Sequence, residues 1–352
     1  MPSLLDPIRV GDLDLPNRVF MSPMTRLRGT EDNVPTAVMA EYYEQRAGAG
    51  LILTEGVPVD PMGVGYHQVP GIWNQKQVEA WRPIPKAVHD AGGHIFMQIW
   101  HVGRISHPLF LNGKLPVAPS AIRPKGKVSL VRPVTNFETP RSLTTEEVKA
   151  VVEQFRRGAQ NAQAAGFDGV ELHGANGYLL DQFLQDGTNQ RTDEYGGPIE
   201  NRACLMLECA DAAISVFGPE RVGMHLAPHS PSHDISDSDP INTFTYVMED
   251  LGKRGLAFIC VRDPLGPQHL GPLLKQAFGG VVVMNEGYTK QTAEEVVERG
   301  EADAVAFGKP FISNPDLAKR FADNAPLNAP EPQTFYSHGM EGYVDYPPLP
   351  ED

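Results

Sequence analysis

The sequence predicts an α/β protein in which eight parallel strands form a closed barrel with helices outside it. Two observations carry this prediction. Short buried-strand patterns alternate for the most part with helical patterns along the chain, which favours a parallel sheet. The chain has 352 residues without a linker-like stretch, and α/β barrels reach this length as one unit. We therefore expect residues 1–352 to form a single barrel domain.

The first part of the chain predicts a plug, three strands and a long loop. Residues 4–15 alternate apolar and polar around Gly11, which predicts an N-terminal β-hairpin that could plug one end of the barrel. The next predicted elements are strands 18–24, 51–55 and 93–100 and helices 36–47 and 75–91. Pro83 and Pro85 predict that the second helix is kinked or divided. Residues 101–141 are proline-rich and lack either period, which predicts a long loop excursion after strand 3 that covers the active-site mouth.

The second part of the chain continues the alternation. Thr144 and Glu147 form a capping-box pattern before an amphipathic helix. The predicted elements are helices 144–165, 201–217, 241–254 and 289–299 and strands 167–172, 221–227, 256–261, 280–284 and 303–307. No helix is predicted between the sixth and seventh strands. The tail from residue 324 is proline-rich and is expected to wrap over the surface.

Composition narrows the class of protein. The chain is 41% hydrophobic and 21% charged, as in ordinary globular proteins. Its net charge of -14 argues against nucleic acid and anionic membranes as partners. Cys204, Cys209 and Cys260 lack CxxC spacing, so no disulfide framework or metal site is predicted. No apolar run is long enough for a membrane span, and we expect a cytoplasmic protein, either a monomer or a homodimer.

Polar side chains follow the fourth strand at a sharp turn. His173 stands where the strand should end, and Gly174 and Gly177 allow the chain to turn there. Such a turn can aim His173, Asn176 and Tyr178 into one space, where they offer two donors to a developing oxyanion and one phenol proton. Any one of them alone would more often only tie down a loop. The three together favour a catalytic site.

Glycine-rich loops follow the last two strands. In this fold such loops commonly bind phosphate through backbone N–H groups. The residues concerned are Asn285, Glu286 and Gly287 after the seventh strand and Gly308 and Lys309 after the eighth. The alternative is that the glycines only make turns and Lys309 is solvated. Two such loops in the same register favour a phosphate site.

Several stretches resemble the old yellow enzyme family of flavin-dependent ene-reductases along essentially the whole chain. They are Met21-Ser-Pro-Met-Thr-Arg26, Gln98-Ile-Trp-His101, Pro116-Val-Ala-Pro-Ser120, His173-Gly-Ala-Asn-Gly-Tyr-Leu-Leu-Asp-Gln-Phe183, Tyr195-Gly-Gly-Pro-Ile-Glu-Asn-Arg202, Phe307-Gly-Lys-Pro-Phe-Ile-Ser-Asn-Pro-Asp316 and Tyr343-Val-Asp-Tyr-Pro347. The resemblance implies a TIM (β/α)8 barrel that binds FMN. It also implies reduction of activated alkenes with hydride from NADPH or NADH. The substrates expected are α,β-unsaturated aldehydes and ketones, nitroalkenes and maleimides, reduced by a ping-pong mechanism.

The resemblance also implies roles for individual residues. Thr25 would hydrogen-bond the flavin near its reactive nitrogen. Other cofactor-binding residues would be Pro23, Met24, Gly56, Gln98, His173, His225, Asn285, Glu286, Gly287, Gly308 and Lys309. His173 and Asn176 would bind the activating oxygen of the substrate, and Tyr178 would donate a proton. The substrate pocket would include Tyr66, Trp100, Tyr178 and Tyr336.

Two positions depart from the family pattern. The fifth strand usually carries an arginine against the flavin pyrimidine, and this chain has His225. The eighth-strand loop usually carries an arginine on the phosphate, and this chain has Lys309. The departure at His225 leaves a flavin-binding protein with low native turnover open as an alternative to an ene-reductase. A phosphate-binding barrel lyase is a third alternative. The lyase lacks an obvious Schiff-base lysine.

Overall fold

The computed structural model describes residues 1–230 and 232–350 and contains thirteen strands and eleven α-helices within them. The strands are β1 (Ile8–Val10), β2 (Leu13–Leu15), β3 (Val19–Met21), β4 (Ile52–Leu53), β5 (Val57–Pro58), β6 (Ile95–Trp100), β7 (Val117–Ala118), β8 (Arg141–Ser142), β9 (Gly169–His173), β10 (Val222–Leu226), β11 (Phe258–Arg262), β12 (Val282–Asn285) and β13 (Ala304–Phe307). The helices are α1 (Val38–Glu44), α2 (Gln75–Trp81), α3 (Pro83–Asp90), α4 (Thr145–Ala165), α5 (Leu179–Leu184), α6 (Ile199–Phe217), α7 (Pro240–Lys253), α8 (Gly271–Phe278), α9 (Lys290–Glu298), α10 (Lys309–Ser313) and α11 (Leu317–Ala322).

Eight parallel strands close into a barrel, which confirms the predicted fold. Neighbouring strands follow the order β4, β3, β13, β12, β11, β10, β9 and β6, and β4 pairs with β6 to close the ring. The barrel strands are buried apart from half-exposed residues at their carboxyl ends, as expected when a parallel sheet is covered by helices. Each of the eight predicted strands is present, and each is shorter than the stretch that predicted it.

The N-terminal hairpin closes one end of this barrel as predicted. β1 pairs antiparallel with β2, with Ile8 opposite Leu15 and Val10 opposite Leu13. These four side chains pack with Phe258 and other inward-facing residues of the barrel strands. Burial of this apolar face keeps water out of the amino-terminal end, so access to the barrel is from the carboxyl ends of the strands.

The helices confirm some local predictions and correct others. The capping box is present, because the Thr144 side chain accepts a hydrogen bond from the Glu147 N–H and Glu147 caps Thr144 in return. The proline-containing helix is divided at Arg82 into α2 and α3, as predicted. The helix predicted over residues 36–47 begins two residues later, at Val38, and the Thr36 hydroxyl donates to the Arg28 carbonyl. Helices α5, α8, α10 and α11 were not predicted.

The long excursion and the tail both reach the mouth of the barrel. In the excursion, Val128, Val131 and Phe137 pack with Trp100 and Tyr178, which confirms that this loop covers the carboxyl end. The tail does more than wrap over the surface.

Two buried arginines tie the tail down. Arg26 and Arg28 donate hydrogen bonds to its backbone carbonyls, and Tyr343 stacks on Tyr42 with ring centroids 4.0 Å apart. Both the loop and the tail therefore contribute walls to the site. Within residues 1–230 and 232–350, no helix has the length and apolar character needed to cross a bilayer.

Candidate active site

Two adjoining cavities open at the carboxyl ends of the barrel strands. They have volumes of about 440 and 660 Å³ and share Pro23, Met24 and Lys309 as lining residues. We call the smaller one the outer cavity and the larger one the inner cavity. Their sizes are typical of cofactor and small-molecule sites. The side chains predicted from the strand ends therefore face two open cavities of this size.

The turn after β9 brings the three predicted catalytic residues together. His173 ends the strand, and Asn176 adopts a left-handed backbone conformation with φ of +60°. Gly177 follows with φ of +75°, a conformation that favours glycine because it has no Cβ. His173 and Asn176 line the inner cavity, and Tyr178 lines the outer cavity. The His173 and Tyr178 rings are 5.0 Å apart, so the two cavities meet at this turn.

An aromatic stack holds His173 in place. Its imidazole lies 5.7 Å from the Trp100 ring at an interplanar angle of 12°. Tyr66 is also stacked parallel to Trp100, with ring centroids 6.0 Å apart and an angle of 6°. A Cβ at Gly56 would lie 2.7 Å from the Trp100 ring, so glycine is required there for the indole to fit. Neither Gly56 nor Trp100 is among the residues that line the outer and inner cavities, and their contacts place them as supports of the site.

Burial sets the protonation of His173. Desolvation, together with nearby His225, His233 and Arg262, holds the pKa of His173 well below its usual value. Charging this imidazole would cost free energy because the ring is buried and the positive charge of Arg262 is nearby. His173 is therefore a neutral side chain with one N–H donor at physiological pH.

Tyr178 is held as a protonated phenol. Burial raises the pKa of Tyr178 well above its usual value, and the neighbouring Tyr66 raises it further. The two hydroxyl oxygens are 2.8 Å apart, so one donates a hydrogen bond to the other. Burial also raises the pKa of Tyr66 to about 12. A phenol that keeps its proton is a source for general acid catalysis.

A polar layer lies at the floor of the inner cavity. Gln98 donates a hydrogen bond from Nε2 to Glu171 Oε2 at 2.8 Å, which fixes the orientation of its amide. The Glu171 Oε1 atom lies 3.4 Å from His225 Nδ1, but the geometry does not make a hydrogen bond. Glu171, His225 and Cys260 place one ligand atom each within 4.8 Å of one another, and they are the group among the described residues that could hold a metal ion.

The opposite end of the inner cavity carries the residues predicted to bind phosphate. Asn285, Glu286 and Gly287 follow β12, and Gly308 and Lys309 follow β13, and all five line the cavity. Lys309 is exposed and starts α10. This end therefore combines backbone N–H groups with one flexible cation, as an anion site requires.

The remaining predicted residues occupy the outer cavity. Thr25, Tyr66 and Tyr336 line it together with Tyr178. Tyr336 lies on the tail and is 48% exposed, so it stands at the rim. The structure therefore brings the predicted cofactor and substrate residues to the same mouth of the barrel, apart from Gly56 and Trp100, which lie behind it.

Sequence reasoning missed several residues of the site. Arg262, at the end of β11, lines the inner cavity and donates a hydrogen bond to Asn176. Ser129 and Leu130 of the excursion and Phe335 of the tail line the outer cavity. Arg262 could have been found from its position, because it follows the apolar run of the sixth strand as His173 follows that of the fourth.

The buried polar atoms provide a test of fit for a flavin. His173 Nδ1 and both ring nitrogens of His225 are buried without a hydrogen-bond partner among the described residues. Buried polar groups are normally paired, so these atoms call for a ligand with donors and acceptors along one edge. The pyrimidine edge of a flavin has both donors and acceptors. The residues that would hold the phosphate of FMN are those at the end of the inner cavity that carries Lys309. The residues present fit FMN.

Comparison with known proteins gives a consistent result. A profile of the NADH:flavin oxidoreductase / NADH oxidase family matches residues 3–328. The chain is 41% identical to the probable flavin mononucleotide-dependent alkene reductase of Leishmania infantum, covering 98% of this chain and 97% of that protein.

Two solved structures are closely similar in fold. The old yellow enzyme homologue from Zymomonas mobilis superposes with a TM-score of 0.96 at 42% identity, covering 98% of this chain and 99% of that chain. Morphinone reductase in complex with tetrahydroNAD superposes with a TM-score of 0.96 at 45% identity, covering 99% of this chain and 98% of that chain.

Proposed function

Because the chain belongs to the NADH:flavin oxidoreductase / NADH oxidase family, as an alkene reductase of old yellow enzyme type, we propose that it reduces electron-poor C=C bonds by a ping-pong mechanism. The protein is an FMN-dependent oxidoreductase with a nicotinamide hydride donor. The substrates proposed are α,β-unsaturated aldehydes and ketones, nitroalkenes and maleimides. The observation that carries this proposal is a neutral imidazole and a carboxamide at the same turn as a buried, protonated phenol.

The inner cavity is proposed to hold FMN through its floor and its anionic end. Gln98 and His225 would meet the pyrimidine edge, and Lys309 with the glycine loops would hold the phosphate. Thr25, which lines the outer cavity next to the shared residues Pro23 and Met24, would donate to the ring near its reactive nitrogen. When bound, FMN accepts hydride from the nicotinamide and passes it to the alkene.

His173 and Asn176 are proposed to bind the activating oxygen of the substrate. Hydride addition to the β-carbon moves negative charge onto that oxygen, so donors placed there stabilise the transition state more than the ground state. A neutral His173 suits this role because it donates a hydrogen bond without attracting anions that are not substrates. The aromatic stack with Trp100 fixes the donor in advance, which avoids reorganisation during the reaction.

Tyr178 is proposed to deliver a proton to the carbon alpha to the activating group. The Tyr178 and Tyr66 hydroxyls share one hydrogen bond in which either can be the donor, so rotation of the Tyr178 O–H turns its proton toward the outer cavity that this phenol lines. Burial of the phenol excludes water as a competing proton source. Tyr336 and Leu130 at the rim of the same cavity would contact the substrate substituents.

An anaerobic two-step experiment tests the proposed function. The purified protein should be yellow, should bleach when NADPH or NADH is added, and should recover its colour when cyclohexenone is added. A yellow protein that bleaches but is not re-oxidised by any electron-poor alkene would favour the alternative of a flavin-binding protein with low turnover. A colourless protein that does not take up FMN would contradict the proposal.

We also make proposals for the domain organisation, cellular location and oligomeric state of the protein. We propose that residues 1–352 act as one FMN-binding barrel domain in the cytoplasm, as a monomer or homodimer. Small molecules are the expected partners.

A further inference from the structure

Arg262 occupies a place in the site that the family resemblance does not account for. It is the last residue of β11, opposite Asn285 of β12, and it lies two residues after Cys260, which is opposite His225. Side chains two apart on a strand point to the same face. Arg262 therefore points into the barrel one layer nearer the mouth than the His225 layer, and it lines the inner cavity.

The guanidinium joins the catalytic turn to the phosphate-side loop. Its Nη1 donates to Asn176 Oδ1 at 2.7 Å. Its Nε and Nη2 lie 2.6 and 2.7 Å from the two carboxylate oxygens of Glu286, which makes a bidentate ion pair. Ser230 and Ser232 hydroxyls lie further away, at 3.5 and 3.3 Å from Nη1. Glu286 thus neutralises the charge and fixes the plane of the guanidinium.

This contact decides which way the Asn176 carboxamide faces. Arginine has donors and no acceptor, so the atom that faces Nη1 must be the amide oxygen. The Nδ2 amino group then faces away from Arg262, and it has no hydrogen-bond partner in the described part of the chain. A flipped amide would set two donors against each other. Without Arg262, the carboxamide would be free to present either its oxygen or its amino group to the cavity.

We propose that Arg262 is a positioning residue that holds Asn176 with Nδ2 directed at the activating oxygen of the substrate. Glu286 holds Arg262 in turn, which forms a chain from Glu286 through Arg262 to Asn176. This inference rests on the proposed role of Asn176 as an oxyanion donor. Arg262 does not take the place of the arginine that usually lies against the flavin pyrimidine in this family, because the Arg262 charge is already paired with Glu286.

The hydrogen bond from Arg262 to Asn176 predicts how much the rate of alkene reduction falls when Arg262 is lost. A hydrogen bond from a charged donor shifts an equilibrium by roughly tenfold to a hundredfold. Both residues of the ion pair are partly exposed, with side chains 26% and 37% accessible, so the lower end applies. Loss of Arg262 should therefore slow alkene reduction by about tenfold.

A double-mutant cycle on the holoprotein tests the proposal. Arg262→Met keeps the apolar stem and removes every donor, and it is combined with Glu286→Gln so that no carboxylate is left unpaired. The matched control is Glu286→Gln alone, which keeps an acceptor for Arg262. Both variants, Arg262→Met with Glu286→Gln and Glu286→Gln alone, are then made in the Asn176→Ala protein. Re-oxidation by cyclohexenone is followed by stopped flow, binding of cyclohexenone by titration of the oxidised protein, and FMN affinity by titration of the apoprotein.

We expect about a tenfold slower re-oxidation and weaker cyclohexenone binding when Arg262 is lost, with less than a twofold change in the Asn176→Ala background. FMN affinity should stay within twofold of that of the Glu286→Gln control, and Arg262→Lys should restore part of the rate. An undiminished loss in the Asn176→Ala background, or an equal loss of FMN affinity, would overturn the proposal. An unchanged re-oxidation rate after the loss of Arg262 would also overturn the proposal. If Asn176→Ala itself changes nothing, the proposed role of Asn176 fails first.

Discussion

Replacement of Tyr178 by phenylalanine separates the proton donor from every other part of the site. Phenylalanine keeps the ring that lies 4.7 Å from Trp100 and 5.0 Å from His173. It removes only the hydroxyl, whose oxygen is 2.8 Å from Tyr66. Because the apolar contacts are preserved, we expect the fold, the FMN affinity and the position of His173 to change little.

The expected loss follows from the surroundings of the hydroxyl. The Tyr178 side chain is only 7% exposed, so water does not readily take its place as a proton source. A positioned general acid contributes about 10²–10⁴ in rate, or roughly 3–5 kcal/mol of activation free energy. Only the step that forms a carbon–hydrogen bond from a proton needs it. Re-oxidation by an enone should therefore slow by about 10²-fold or more.

Stopped-flow measurement of the two half-reactions provides the assay. Bleaching by NADPH should stay within about twofold of the unchanged protein, because hydride transfer from the nicotinamide needs no proton from Tyr178. Tyr66→Phe is the matched control, since it removes the hydrogen-bond partner and leaves the acid, and its effect should be much smaller. If Tyr178→Phe slows both half-reactions alike, or slows neither, the assignment of Tyr178 as the acid is wrong.

Three further predictions concern protonation and charge. The pKa of His173 is lowered well below 6.5 and that of Tyr178 is raised well above 10.0, so the re-oxidation rate should not change between about pH 6.5 and 9. If the rate does change in this range, and substitution of His173 or Tyr178 abolishes the change, these assignments are wrong. Lys309→Ala should weaken FMN binding by about tenfold or more in a titration of the apoprotein, and an unchanged affinity would remove Lys309 from the phosphate site. Burial raises the pKa of Glu55 from 4.5 to about 7, so its contribution to stability is complete below about pH 4.5 and is lost as pH rises to about 7. Glu55→Gln should therefore raise the unfolding free energy at pH 8 by up to about 3 kcal/mol in chemical denaturation, and an unchanged pH profile would contradict the shift.

The sequence predicted the barrel well because its strands carry a strong local signal. A parallel strand covered on both faces must be apolar throughout, so the run that ends at His173 is visible without any knowledge of its neighbours. Helix α8 was missed because Gly271 and Pro272 open it, and that pair is typical of a turn. Proline is also well tolerated in the first turn of a helix, and the structure uses that exception.

The parts of the site that were missed depend on contacts between distant residues. The tail reaches the mouth because Arg26 and Arg28 bind its backbone carbonyls, and nothing in the tail sequence itself shows this. Arg262 was missed because the predicted sixth strand ended at Val261, one residue too early. Its role further depends on Glu286 and Asn176, which come from two other loops, so only the folded chain brings these three together.

His225 is the departure from the family with the clearest consequence. Its Nδ1 lies 3.4 Å from Glu171 Oε1 at the floor of the inner cavity, and neither ring nitrogen is hydrogen-bonded to the described protein. An imidazole there can donate or accept, whereas a guanidinium would donate only and carry a fixed charge. A fixed cation stabilises the reduced, anionic flavin more than the oxidised one, so His225→Arg should raise the two-electron potential. A differential stabilisation of about 1.4 kcal/mol corresponds to roughly 30 mV, which spectroelectrochemical titration resolves. Equal potentials in the two proteins would show that no net charge from this position acts on the flavin, as when Glu171 neutralises the arginine, and a lower potential in the variant would contradict the reasoning.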